Sequence, residues 1–216
     1  MVDRYVRRAR RWIWSRTYAL GPGRFYRPTY ERIAEAVAPQ SGTMLDVGTG
    51  PGWLCIAAAR QRPCLQVFGI DTSPDMVSAS LRNRGGLANC VFSEMNAAEM
   101  KYANDTFDVI TAMQTVHHWA DPAAILCEIH RVLAPGASAY IYDADATLDI
   151  PPAWLDRVGP FPTDTNLRRR WETYSLSDAD WERLKIIATD GPFDEVGQDI
   201  HGFYRRLVLT KREATS

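Results

Sequence analysis

From residue 43 onward, short apolar runs alternate with longer segments in which apolar residues recur at helical spacing. The apolar runs predict strands at 43–47, 65–70, 91–92, 107–113 and 139–142. Helices are predicted between them: one over 53–60, and two that begin where Ser73 and Asp121 each precede a proline. This alternation predicts βαβ units and a parallel sheet, and the continuous apolar strands indicate a sheet covered on both faces.

The helix after Asp121 carries its apolar residues on one face, and Pro135-Gly136 is predicted to end it. That face consists of Ile125, Leu126, Ile129, Val132 and Leu133.

The last third of the chain has a different rhythm, because residues 146–176 are rich in Pro, Asp and Arg and show no clear period. Ser177 with Asp180 then predicts a capped helix. Two strands, at 194–200 and 203–210, predict a closing antiparallel hairpin. The predicted fold class is therefore α/β, with a doubly wound, mostly parallel sheet of seven strands and helices on both faces.

Composition and charge are those of a globular protein, and the net charge of −1 argues against nucleic-acid binding by the chain as a whole. The charge is uneven, since residues 1–16 hold six arginines against Asp3. That run is either a solvated helix face or a surface for acidic lipid or nucleic acid. The apolar runs are too short for a transmembrane segment, and the basic N-terminus lacks the apolar core of a secretory signal.

The four cysteines are scattered, with no Cys-x-x-Cys pair, so neither a disulfide framework nor a metal site is expected. They are Cys55, Cys64, Cys90 and Cys127. Three of them lie within apolar runs and are interpreted as buried small hydrophobic residues. This usage suits a reducing, cytoplasmic location.

Glycines and polar residues follow the ends of four predicted strands. Asp46 and three alternate glycines separate the first strand from the first helix, in the segment MLDVGTGPG at 44–52. Asp71 ends the second strand, while Asn96-Ala97 and Gln114 follow the third and fourth. Because the carboxyl ends of parallel strands meet at one edge, these residues are expected to converge. The Asp71 carboxylate is suited to both ribose hydroxyls of an adenosine, so the set predicts a nucleoside site.

The glycine spacing distinguishes between two kinds of nucleoside ligand. A dinucleotide fingerprint reads Gly-x-Gly-x-x-Gly, whereas this turn reads Gly48-x-Gly50-x-Gly52. No Arg or Lys follows the turn closely to meet a pyrophosphate, and no Lys-Ser/Thr pair makes a phosphate-binding P-loop. An NAD(P)-dependent oxidoreductase is therefore the less favoured alternative.

At these residues the chain resembles the class I S-adenosylmethionine-dependent methyltransferases, in the small-molecule, type 11-like subgroup. The resemblance rests on MLDVGTGPG, on DTSPDM at 71–76, on FDVI at 107–110, on HHWADP at 117–122 and on RVLAPG at 131–136. It covers about 43–143 strongly and the closing hairpin weakly. It implies a Rossmann-like sheet, S-adenosyl-L-methionine as cofactor and S-adenosyl-L-homocysteine as product.

The resemblance also implies cofactor-binding roles for residues on four loops. These are Asp46, Gly48, Thr49, Gly50, Gly52, Asp71, Thr72, Met76, Asn96, Ala97 and Gln114. Asp46 orients the turn and meets the cofactor amine, and Gln114 lies near the sulfonium. Asn96 stands where the family has an aspartate, so it can accept from the adenine amine without charge. A local turn cap is the alternative role for Asn96.

Two histidines and two tyrosines are candidates on the acceptor side. His117 and His118 follow the fourth strand and are the candidate catalytic bases, although packing on the sheet or covering the next helix would also explain them. Tyr26 and Tyr30, with Trp12, are expected either to form an aromatic lid over the substrate or to pack as ordinary helix residues. The sequence predicts no metal ligand.

The resemblance predicts one methyltransferase domain over 1–216 with four parts. Residues 1–40 form a helical lid, 43–145 the cofactor-binding core, 146–176 a substrate-side insertion, and 177–216 the closing helix and hairpin. The predicted function is methyl transfer to an O, N, S or C nucleophile of a small molecule, with no nucleic-acid partner. The alternative from another class is a protein that binds the cofactor without catalysis and acts as a regulatory partner.

Overall fold

Seven strands and five α-helices lie in the described residues of a computed structural model, which are 27–145, 147–148, 175–202 and 204–213. In chain order they are α1 (Arg27–Val37), β1 (Ser41–Val47), α2 (Trp53–Gln61), β2 (Cys64–Asp71), α3 (Pro74–Arg84), β3 (Cys90–Glu94), β4 (Phe107–Met113), α4 (Pro122–Val132), β5 (Leu133–Ala144), α5 (Asp178–Thr189), β6 (Glu195–His201) and β7 (Tyr204–Thr210). A 3₁₀ turn, Val116–His118, lies between β4 and α4.

These strands form one sheet in the order β3-β2-β1-β4-β5-β7-β6. The first five strands run parallel, and β7 pairs antiparallel with both β5 and β6. The strand order reverses between β1 and β4, and in such sheets the ligand crevice opens at the carboxyl ends beside that switch point. The predicted α/β class, parallel core and closing hairpin are confirmed.

Burial explains why the central strands read as continuous apolar runs. One buried cluster, which includes Ile110, Leu126 and Trp181, joins the sheet to α4 and α5. A second cluster covers the opposite face and includes Ile33, Met44 and Ile56 from α1, β1 and α2. Each central strand therefore buries side chains on both faces, as the pattern predicts.

Most predicted boundaries agree to within one or two residues, but α4 ends earlier than expected. It stops at Val132, before the predicted end at Pro135-Gly136, and β5 begins at once. The backbone N–H groups of Asp105 and Thr106 donate hydrogen bonds to the carbonyls of Arg131 and Val132, at 3.0 and 2.8 Å. These bonds come from a distant part of the chain, so the local pattern does not reveal them.

The lysine after β7 reinforces the same helix end. Lys211 Nζ donates to the carbonyls of His130 and Leu133, at 3.0 and 2.9 Å. Leu133 is fully buried although it is no longer helical, so the apolar spacing continues past the helix. That continuity is why the prediction placed the helix end too late.

Cysteine burial also differs from the expectation. Cys55 and Cys90 are buried, but Cys64 and Cys127 are exposed, so two rather than three are core residues. Cys64 is the first residue of β2, and Cys127 lies on the outer side of α4. In the described residues, no helix is both long and apolar enough to cross a bilayer.

Several predictions fall on residues outside the described ranges. They concern Tyr26, Trp12, the arginine run within 1–16 and most of 146–176. The capped helix and the hairpin are within those ranges and are confirmed. Ser177 and Asp180 form a reciprocal capping box on α5, and Gly202 turns the hairpin with φ of 69°.

Arg131 fixes the loop that follows β3. Its guanidinium donates to the carbonyls of Tyr102 and Met100, each at 2.8 Å, and pairs with Glu128 at 2.7 Å. Glu128 accepts the Met100 N–H at 2.7 Å. This clamp therefore holds residues 95–106, which include Asn96-Ala97, against α4.

Arg131→Gln is expected to lower the free energy of unfolding by about 2 kcal/mol, because several charge-assisted hydrogen bonds are lost together. Chemical denaturation measures this change, and hydrogen exchange should show faster exchange of the Met100 amide. Arg183→Gln on the exposed side of α5 is the matched control. Equal stability of the two variants would show that the hydrogen bonds of Arg131 do not stabilise this loop.

Candidate functional site

The glycine turn after β1 uses three residues with positive φ. Gly48, Gly50 and Gly52 have φ of 68°, 54° and 82°. A Cβ at Gly48 would overlap the Thr115 hydroxyl, and one at Gly52 would lie 2.6 Å from the Phe92 ring. A Cβ at Gly50 would meet nothing within 4 Å. The outer glycines therefore allow close packing of the protein on itself, while the middle one borders open space.

Asp71 is bound directly to this turn. Its Oδ2 accepts the Gly50 N–H at 2.9 Å, and its Oδ1 accepts the Ser73 N–H at 2.8 Å. A carboxylate oxygen can accept more than one hydrogen bond. Thr72 beside it is exposed, and Met76 is half-buried in the first turn of α3. The predicted meeting of the loops after β1 and β2 is confirmed.

Asp46 lies beneath the turn and is almost completely buried. Its Oδ1 accepts the Thr111 hydroxyl at 2.8 Å, and the Cys55 thiol lies 3.7 Å from Oδ2. Burial raises the pKa of this carboxyl to about 6, against the lowering effect of its bonds to Thr111, Thr49 and Cys55. Thr49 is itself buried and lies 3.3 Å from the Cys55 sulfur.

Gln114 directly follows β4 and has a strained backbone conformation, with φ of 52°. Its N–H donates to the Tyr142 carbonyl of β5 at 2.8 Å, which holds it in place. Its side-chain oxygen is buried and has no hydrogen-bond partner among the described residues. A strained residue with an unsatisfied buried acceptor is typical of a site that receives a ligand donor.

The loop after β3 brings Asn96 and Ala97 to the same edge of the sheet. Asn96 is exposed, and its Oδ1 accepts the Ala98 N–H at 3.1 Å. That bond is the local cap weighed as an alternative, and one amide oxygen lone pair and the amide donors are left for other contacts. Ala97 packs against the core cluster of α4 and α5. Contact of either residue with adenine remains a prediction.

His117 has a carboxylate partner that sequence analysis did not identify. Its Nδ1 lies 3.0 and 3.1 Å from the two oxygens of Asp143, which is the penultimate residue of β5 and is fully buried. The His117 backbone N–H also donates to Asp143, at 3.2 Å. His118 is exposed, and its ring lies 4.1 Å from that of His117. The sequence signal that could have identified this partner is Asp143 itself, a carboxylate near the end of the strand that pairs with β4.

Tyr30 lies on α1 and is buried in the cluster that includes Ile33 and Met44. That burial accounts for the side chain by core packing, and a substrate contact remains a prediction. Tyr26 lies outside the described residues. Within the described ranges, no group of three or more His, Cys, Asp or Glu side chains is placed to hold a metal ion.

The open side of Gly50 and the acceptors around it fit S-adenosylmethionine. Asp71 is bonded to the Gly50 amide, so its carboxylate lies beside that space. Gln114 follows β4, which is the strand next to β1. Its side-chain oxygen has no partner among the described residues, and a positively charged or donor group would satisfy it. The residues at this edge therefore suit a ligand with hydroxyl donors at one end and a cation at the other.

The raised pKa of Asp46 predicts a pH-dependent stability difference. The folded protein favours the protonated carboxyl, so this contribution is full below the ordinary aspartate pKa of 3.8 and is lost as pH rises through about 6. Asp46→Asn can still accept from Thr111 and does not ionise. The free energy of unfolding of this variant, relative to that of the wild type, should increase by about 2 kcal/mol from about pH 4.5 to about pH 7.5.

Urea denaturation across that pH range measures the gap, with Asp75→Asn on the surface of α3 as control. A gap that stays constant with pH would show that Asp46 is not held at a raised pKa.

Comparison with known proteins agrees with this geometry. A family model described as a methyltransferase domain matches residues 40–190. A demethylmenaquinone methyltransferase of Chlorobaculum parvum is 38% identical over 100 residues, which is 46% of this chain and 40% of that protein. A demethylmenaquinone methyltransferase of Deinococcus radiodurans is 31% identical over 123 residues, 56% of this chain and 50% of that one. The chain thus spans half or less of these relatives' length.

Solved structures share the fold at low identity. A Methanococcus maripaludis protein described as an S-adenosyl-L-methionine-dependent methyltransferase has a TM-score of 0.75 at 19% identity, covering 94% of this chain and 92% of that one. An N-methyltransferase of Haemonchus contortus, in complex with phosphomonomethylethanolamine and S-adenosylhomocysteine, has a TM-score of 0.67 at 16% identity, covering 93% and 57%.

The family model covers more than half of the chain, and it spans β1 to α5, including the glycine turn, Asp71 and Gln114. By family model, fold and site, the chain belongs to the methyltransferase domain family, among the class I S-adenosylmethionine-dependent methyltransferases.

Proposed function

We propose that this chain transfers a methyl group from S-adenosylmethionine to a small-molecule acceptor. The observation that carries the proposal is the junction of Asp71 with the Gly50 amide beside open space. We assign this carboxylate to the two ribose hydroxyls, and a Cβ at Gly50 would meet no atom within 4 Å. The family membership supports the same ligand.

The other cofactor contacts follow from position. Asp46 and Gln114 lie at the ends of the two strands beside the switch point, and we assign them to the charged methionine end of the cofactor. Binding of a cation there would lower the pKa of Asp46, because an opposite charge favours the ionised carboxyl. Asn96 and Ala97 are assigned to the adenine, and Thr72 and Met76 to the adenosine. Gly48, Thr49 and Gly52 shape the turn.

The bound cofactor supplies a methyl group that is already activated by its sulfonium. The main task of the protein is therefore to place the acceptor in line and to exclude competing water. Residues 1–40 and 146–176 are assigned to most of the acceptor contacts, with Tyr26 and Tyr30 among them, because the glycine turn, Asp71 and Gln114 are assigned to the cofactor.

A small-molecule acceptor is supported by the relatives, whose names differ in acceptor. Two are demethylmenaquinone methyltransferases, and another, 34% identical over 115 residues, is norajmaline N-methyltransferase of Rauvolfia serpentina. Because each match covers at most half of the relative, the acceptor does not transfer from any one of them.

Gly50→Ala tests whether the cofactor lies in the open space beside the glycine turn. Gly50 and Gly202 have similar φ, 54° and 69°, and at both positions a Cβ meets no atom within 4 Å. Both alanine variants should therefore lose about 1 kcal/mol of stability from the left-handed backbone alone. Only Gly50→Ala should weaken S-adenosylhomocysteine binding, by at least about tenfold in titration calorimetry, because the methyl enters the ligand space. Equal affinities of the two variants would contradict the assignment.

The activity is tested by incubating the full chain with S-adenosylmethionine and a panel of phenols, amines and thiols. Acceptor-dependent formation of S-adenosylhomocysteine is expected. Asp71→Asn should weaken cofactor binding by about 1.5–3 kcal/mol, since a charged acceptor is lost. Asp75→Asn is the matched control. Cofactor binding with no turnover of any acceptor would favour the cofactor-binding regulatory protein, and binding of NAD instead would overturn the proposal.

A further inference from the structure

Asp143 holds His117 by two separate contacts. One is the ring contact from Nδ1 to both carboxylate oxygens, at 3.0 and 3.1 Å, and the other is the His117 backbone N–H at 3.2 Å. The Ala144 N–H adds a third donor to the same carboxylate, at 2.8 Å. Asp143 has no exposed surface, and the His117 side chain retains 15% exposure. The ring orientation is therefore fixed from the buried side.

This contact selects the tautomer of the ring. A carboxylate only accepts hydrogen bonds, so the nitrogen that faces it carries the proton. With the proton on Nδ1, the basic lone pair is on Nε2. The carboxylate also stabilises the imidazolium that forms when Nε2 gains a proton. The pair is thus arranged as a base with an orienting acid, from two residues that lie 26 positions apart.

The pair lies beside the glycine turn. Thr115, two residues before His117, is the side chain that fills the space a Cβ at Gly48 would need. Gln114 is bonded to Tyr142, the residue before Asp143. The 3₁₀ turn of His117 therefore begins where the loops after β1 and β4 touch, at the carboxyl end of β5.

We propose that His117 Nε2 is the general base of methyl transfer, that Asp143 is its positioning residue, and that the acceptor is a weakly acidic hydroxyl of the phenol or enol type. This deepens the proposed function and rests on it. The acceptor O–H bond breaks and its proton passes to Nε2. The freed electron pair on the acceptor forms the bond to the methyl carbon, and the C–S bonding pair stays on sulfur, which becomes a neutral thioether.

The presence of an oriented base distinguishes this acceptor class from others. An amine attacks as its free base and releases its proton to water after transfer, so it gains little from a base in the transition state. A thiol is ionised to a useful extent near neutral pH. A phenol or enol is mostly protonated there and is a weak nucleophile until the proton leaves, so a positioned imidazole accelerates its reaction by about 10²–10⁴-fold.

The tautomer can be measured without an acceptor. The full chain has four histidines, and His→Gln variants assign their imidazole signals in long-range ¹H–¹⁵N correlation spectra of the labelled protein. Wild-type His117 should show a protonated Nδ1 and a pyridine-type Nε2, and Asp143→Asn should lose that preference. A wild-type ring protonated on Nε2 overturns the inference.

Binding and turnover complete the test. His117→Gln and Asp143→Asn should bind S-adenosylhomocysteine within about twofold of the wild type. Both should lose at least about a hundredfold in kcat with a phenolic acceptor and keep its KM. His130→Gln on α4, whose ring packs against Phe193, is the matched control. An amine as the preferred acceptor, methylated equally by Asp143→Asn, overturns the inference and leaves the proposed function intact. Failure to bind S-adenosylhomocysteine overturns both.

Discussion

The hydrogen bond from the Gly50 amide to the Asp71 carboxylate joins the two halves of the proposed cofactor site. It requires the loops after β1 and β2 to meet, which depends on parallel pairing of these strands in the register that sets Asp46 beside Gly69 and Val47 beside Ile70. Gly50 donates this bond from a backbone with φ of 54°, which glycine adopts readily, and it leaves the space beside the carboxylate without a β-carbon. Sheet order, turn chemistry and ligand chemistry therefore converge on one contact.

Thr115 packs closely against the other side of the glycine turn, and this contact completes the proposed site. Gly48 has no side chain, so Thr115 reaches the turn and brings the end of β4 with it. Gln114 is strained between β4 and the Tyr142 carbonyl, and Asp46 is buried under the turn on a hydroxyl from β4. The unfavourable groups in this region, which are a buried carboxyl and an unsatisfied amide oxygen, both lie at the strand ends where the ligand is assigned.

Local chemistry accounts for what could be predicted. The central strands, the alternate glycines and the capping box at Ser177 are each specified by neighbours in sequence, and they agree with the structure. The end of α4 could not be predicted, because residues 105–106 and Lys211 terminate it from distant segments. The partner of His117 escaped prediction for the same reason. Asp143 lies near the end of the next strand, and only the pairing of β4 with β5 brings the two together.

A crystal structure of the chain with S-adenosylhomocysteine would locate the cofactor site. Both ribose hydroxyls are expected to lie within hydrogen-bond distance of the Asp71 carboxylate, with the ligand passing over Gly50 towards Gln114 and Asp46. A ligand bound elsewhere, or one whose ribose avoids Asp71, would contradict this expectation.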